Sequence, residues 1–74
     1  MKVGDLVKIK NTSTGDARWM VERFRDRTPL LVCQLGTAKL HNSPSTSYTL
    51  LLDIDGEHKW VATRRLMMWE MQGH

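Results

Sequence analysis

Asp53-Ile54-Asp55-Gly56-Glu57 has the acidic, glycine-containing composition from which calcium loops are built. Such a loop also needs a third ligand before the glycine, a bidentate glutamate six residues after it and flanking helices, and the sequence supplies none of these. The same residues suit a β-hairpin turn, because Asp and Gly tolerate the backbone angles a tight turn demands. His41, His58 and His74 offer no i, i+4 pair, and Cys33, the single cysteine, cannot complete a zinc site with them. Cys33 and His58 could act as nucleophile and base only if packing brought them together, with no strained turn or oxyanion device to assist. No glycine-rich phosphate cradle is present. The sequence predicts a protein that is not an enzyme and needs no metal and no cofactor.

Binding chemistry is better represented. Arg18, Arg23, Arg25 and Arg27 lie close together with Trp19 and Phe24 among them, and Lys8 and Lys10 stand on the preceding apolar segment. On adjacent strands these cations would form a stripe able to track a phosphate backbone, with the aromatics free to stack on bases. The competing reading is a solvated basic face with both aromatics in the core. A formal net charge of +3, concentrated in residues 1–28, is small for a nucleic-acid binder and favours that second reading.

A second excess is apolar. Leu66-Met67-Met68-Trp69-Glu70-Met71 carries large apolar groups on both alternating faces, as do Leu50-Leu51-Leu52 and Trp60-Val61. A strand covering one core needs them on one face only. Trp, Met and Arg are enriched at protein interfaces, and Met suits adaptable ones. The expectation is a binding surface of Leu51, Trp60, Met67, Trp69 and Met71 for a protein partner or a second copy of the chain. The alternatives are termini and loops folded over that face, or a nucleic-acid partner held by Lys8, Lys10, Arg18, Trp19, Arg23, Arg25 and Arg27.

The elements that must position these residues read as strands. In Leu6-Val7-Lys8-Ile9-Lys10 the apolar residues alternate with lysines, the period of a half-buried strand. Arg18 to Arg25, rich in aromatic and β-branched residues, reads as the second strand, closed by the turn Asp26-Arg27-Thr28-Pro29. Leu30 to Leu35 is the third. Residues 36–47 hold few groups to bury and are expected to form a mobile loop. Tyr48 to Ile54 and Glu57 to Ala62 flank the Asp55-Gly56 turn. Thr63 to Leu66 is the one expected helical turn, capped by Thr63, and Met67 to Met71 the last strand.

A two-residue Asp55-Gly56 loop would pair Leu51 with Trp60 and turn both outward; a three-residue loop would pair Leu50 with Trp60 and put Trp60 in the core. The first register is expected, because it explains why Leu51 and Trp60 exceed the needs of the core. Trp60 would then be the centre of the binding surface.

Seventy-four residues make one domain, 1–74, with a thin stability margin. Five or six short antiparallel strands solve their edge problem by curling into a barrel. Cys33 sits in the apolar run LLVCQL and reads as a small buried hydrophobe. The absence of a disulfide framework, of a signal peptide's apolar block and of any apolar run long enough to cross a bilayer predicts a cytoplasmic protein with no membrane partner.

The opening KVGDLVKIK resembles the first strand of SH3-like barrels, including Tudor-like and ribosomal KOW-type domains, and the ending KWVATRRLMMWE resembles their last two strands joined by a helical turn. A closer likeness is to small proteins of unknown function from bacteriophages and bacteria. Those begin with Lys-Val-Gly-Asp-Leu-Val, continue with a strand like WMVERF and close on a Trp-containing strand before a Leu-bearing turn. The resemblance covers the first and last thirds of the chain. It implies an all-β SH3-like barrel and a phage origin, hence the host cytoplasm, and it supplies no functional residue.

Overall fold

The computed structural model describes residues 1–38 and 45–69. In chain order the elements are β1 (Leu6–Ile9), α1 (Arg18–Asp26), β2 (Leu30–Ala38), β3 (Thr46–Leu52), β4 (His58–Ala62), a 3-10 turn (Thr63–Arg65) and β5 (Leu66–Met68). The strands form one antiparallel sheet in the order β4-β3-β2-β1-β5. Among the described residues β4 and β5 are its two edges and do not pair, so the sheet is open rather than a closed barrel.

Period-two alternation sorts the strands into two faces. Val7, Ile9, Leu30, Val32, Leu51, Val61 and Leu66 all point inward and form the core, and Trp19 and Met20 of α1 pack against it. Leu6, Lys8, Leu31, Leu50, Leu52, Trp60 and Met67 occupy the alternate, outward positions. The 3-10 turn falls where a helical turn was expected. Thr63, however, is its first residue rather than its cap, and its hydroxyl is hydrogen-bonded to Thr49 Oγ1 at 2.8 Å.

The segment Arg18 to Arg25 is a helix, not the expected second strand, so helix is not confined to one turn near residues 63–66. The residues that touch the core or the sheet's buried acid are Trp19, Met20 and Arg23, a helical spacing that strand alternation cannot produce. Arg, Met and Glu favour helix, and Arg18 and Glu22 pair at i, i+4. The helix ends in a Schellman motif: Thr28 N–H donates to Arg23 O at 3.1 Å and Arg27 N–H to Phe24 O at 3.3 Å. Arg27 takes the left-handed conformation there, with φ 53°, and Pro29 prevents continuation.

The hairpin also departs from expectation. Leu50 pairs with Trp60, Leu51 with Lys59 and Leu52 with His58, the register of the three-residue loop. Asp53 N–H donates to Glu57 O at 2.9 Å and Gly56 N–H to Asp53 O at 3.0 Å, with Gly56 at φ 85°. That is a type I turn closed by a left-handed glycine. Leu51 is therefore fully buried, and Leu50 and Leu52 are half-buried on the other face. Trp60 nonetheless faces outward, because its partner Leu50 does.

The expected loop 36–47 is shorter at both ends. Gly36 pairs with Tyr48, Thr37 with Ser47 and Ala38 with Thr46, since backbone ladder bonds form whatever the side chains' polarity. Its centre, 39–44, lies outside the described residues. Cys33 is the extra residue of a β-bulge between Val32 and Gln34 and is half-buried rather than a core hydrophobe. β5 stops at Met68, although Trp69 N–H still donates to Leu6 O at 2.9 Å. Met71 lies outside the described residues.

Candidate nucleic-acid interface

Two ion-pair networks, built on Asp16, Asp53 and Asp55, hold α1 and the preceding loop against the sheet. The first centres on Asp53 at the end of β3, whose side chain is fully buried. Arg23 Nε of α1 donates to Asp53 Oδ1 at 2.7 Å, Ile54 N–H donates to the same oxygen at 2.8 Å, and Lys59 Nζ of β4 donates to Oδ2. Lys59 also reaches Asp55 Oδ2 at 2.8 Å and lies 4.7 Å from the centre of the Trp19 ring, a cation–π contact. Burial pushes the Asp53 carboxyl up, but the donors of Arg23, Lys59 and Ile54 outweigh it and hold it below the usual carboxylate range. The bond to Asp53 raises Arg23. Burial alone would lower Lys59, yet Asp53 and Asp55 raise it. Lys59 in turn lowers Asp55.

The second network fastens the loop before α1 to the 3-10 turn. Arg65 grips Asp16 with both terminal nitrogens, at 2.8 and 3.3 Å, and donates to Ser13 Oγ at 3.1 Å. The Ser13 N–H and then Arg65 hold the Asp16 carboxyl below its ordinary range.

Several cations without an ion pair among the described residues lie together. The C-terminal end of α1 and the end of β1 border a cleft of about 400 Å³ lined by Lys8, Ile9, Lys10, Phe24, Arg25, Arg27 and Met67. Among the described residues no carboxylate forms an ion pair with Lys8, Lys10 or Arg27. Among the described residues Arg25 pairs with Asp26 alone, its exposed neighbour, at 3.7 Å. Phe24 and Met67, 40% and 38% exposed, give the cleft apolar surface between the cations. A larger cleft of about 600 Å³ beside Met1, Leu35 and Tyr48 carries no charged side chain.

Of the residues expected to bind nucleic acid, the fold thus gathers Lys8, Lys10, Arg25 and Arg27. Arg23 is committed to Asp53, Trp19 is half-buried over Lys59, and Arg18 is an exposed partner of Glu22. The apolar set is dispersed. Leu51 is in the core, Trp60 and Met67 stand on opposite edge strands, and Trp69 is half-buried beside Leu6.

Sequence reasoning missed both ion-pair networks. Asp53 carried a signal in retrospect, an acid closing the apolar run Leu50-Leu51-Leu52, but the turn reading absorbed it. Both oxygens of Asp53 accept from cationic side chains, an arrangement opposite to that of a calcium ligand. Cys33 and His58 lie on β2 and β4 with β3 between them, and His41 and His74 lie outside the described residues. Among the described residues no three His, Cys, Asp or Glu side chains are grouped to hold a metal ion. No helix among them is long and apolar enough to cross a membrane. Compared with protein-family models, curated proteins and solved structures, the chain matches none.

Proposed function

We propose that the chain is a non-enzymatic nucleic-acid-binding module that holds a phosphate backbone in the cleft between β1 and α1. One observation carries the reading: Lys8, Lys10, Arg25 and Arg27 converge on a single cleft while Asp16, Asp53 and Asp55 are engaged in ion pairs elsewhere. The net charge of the chain understates the local field, because the paired acids and bases cancel away from the cleft. The conformation of Arg27 adds support. It is the one non-glycine among the described residues with positive φ, at a helix-end position that glycine would fill with less strain. A cation at a strained site beside a cleft supports a binding role for it.

In this reading the sheet is an opened SH3-like barrel of the KOW or Tudor type. The strand order β4-β3-β2-β1-β5 and the 3-10 turn between β4 and β5 support it. The test is salt dependence. Binding of a labelled oligonucleotide, followed by fluorescence anisotropy, should weaken about 50- to 150-fold between 50 and 200 mM salt if roughly four phosphates are neutralised. Absence of binding at 50 mM salt, or affinity indifferent to salt, refutes the proposal.

A second reading, a protein partner or a second copy of the chain, rests on a different observation. Cross-strand register sets Leu52, Leu31 and Leu6 in one outward row over β3, β2 and β1, with Trp69 beside Leu6. Trp60, 52% exposed, lies on the same face. Complex formation there would persist at high salt, which distinguishes the two readings.

A further inference from the structure

We infer that the nucleic acid held in the cleft is single-stranded, one base lying against the ring of Phe24 while Lys8, Lys10, Arg25 and Arg27 hold the flanking phosphates; this rests on the cleft reading above. Cations alone would serve a binder of phosphate backbone, but this cleft has an apolar part. Phe24 and Met67 are large apolar side chains, both more than a third exposed, set among the cations. In a duplex the base faces are stacked on one another and the phosphates lie outside, so an aromatic ring in a concave site meets no base face. An unpaired strand offers phosphates and base faces together, and aromatic side chains within a basic groove are how proteins hold one without reading its sequence. Trp19, the other aromatic of α1, is not available for this, being half-buried against the core and over Lys59. Phe24 is the helix's remaining aromatic, one turn before the Arg27 cap and next to Arg25.

The experiment measures fluorescence anisotropy at 50 mM salt with two probes, a fluorescein-labelled 15-nucleotide oligothymidylate and a 15-base-pair duplex, for the native chain and for Phe24→Ala and Phe24→Leu. Phe24 lies outside the buried core cluster, and circular dichroism establishes that each variant is folded. The native chain should prefer the single strand. Phe24→Ala should lose about 5- to 150-fold on the single strand, the range expected for one base–aromatic stack, and change less than about twofold on the duplex. Phe24→Leu, which keeps apolar bulk but no ring face, should lose nearly as much. Equal binding of the two probes with no effect of Phe24→Ala overturns the single-strand inference and leaves the phosphate cleft standing. Preference for the duplex, or full affinity in Phe24→Leu, overturns it as well. Failure of both probes to bind the native chain overturns the cleft reading, and this inference with it.

Discussion

Replacing Asp53 by Asn removes one negative charge from the junction of α1, β3 and β4 while keeping its volume. The native carboxylate accepts from Arg23, Lys59 and Ile54 N–H and has no exposed side-chain surface. An amide at this position can still accept from Ile54, but its NH2 group would face a second donor. Breaking a buried pair by removing one partner costs about 3–5 kcal/mol, mainly because the remaining charge is stranded. Two features put Asp53→Asn at the lower end. The Arg23 and Lys59 side chains keep 14% and 17% of their exposure, so water screens them in part, and Lys59 retains Asp55. A loss of about 3 kcal/mol is expected, a large share of the stability of so small a domain. Urea denaturation at pH 7 would show it as a lower midpoint with little change in slope.

The pH profile supplies an independent readout. Asp53 has a folded pKa below its unfolded value, so its contribution is fully present above the ordinary carboxylate range near 3.8 and is lost as pH falls through the lower folded value. Lys59 has a folded pKa above 10.5, so its contribution is present below that value and is lost only as pH rises beyond it. The native chain should therefore lose stability steeply in acid, and Asp53→Asn should flatten that slope. A variant within about 0.5 kcal/mol of the native chain at pH 7, with the same acid slope, would refute the claim that Asp53 pins α1 to the sheet.

Two further substitutions separate packing from binding. Arg27→Gly relieves the left-handed cap and should stabilise the fold by about 0.5–1 kcal/mol while weakening oligonucleotide binding several-fold; thermal denaturation and anisotropy on one sample check both signs. Leu51→Ala should cost about 2–5 kcal/mol and Trp60→Ala less than about 2 kcal/mol, against about 3–5 kcal/mol for a buried Trp, in paired urea titrations. Equal losses at the two sites would contradict the observed hairpin register.

Much of the fold was legible because strand alternation is local. Val7 and Ile9 inside with Lys8 and Lys10 outside follow from period two alone, and so does the position of β2 from Leu30 onward. The turn at Asp55-Gly56 and the short helical turn at Thr63 are also local chemistry. Positions whose neighbours are distant in sequence were not legible. Arg18 to Arg25 has β-branched and aromatic residues that suit either periodicity, and the choice of helix goes with Trp19 and Met20 packing on the core and Arg23 reaching Asp53, thirty residues away.

The hairpin register shows the same division. Both loop lengths were compatible with Asp55-Gly56, and each left an apolar residue to spare. What separates them in the structure is that the longer loop sets Val61 and Lys59 opposite Thr49 and Leu51, so that Val61 joins Leu51 in the core and Lys59 reaches Asp53. The basic cleft has the same origin. Sequence placed the cations of α1 and β1 in the same third of the chain and left a solvated face as the better reading of a small net charge. Tertiary structure decided which of them are neutralised, since ion pairing depends on distance through space: Arg23, Lys59 and Arg65 found buried or half-buried carboxylates, and Lys8, Lys10 and Arg27 did not.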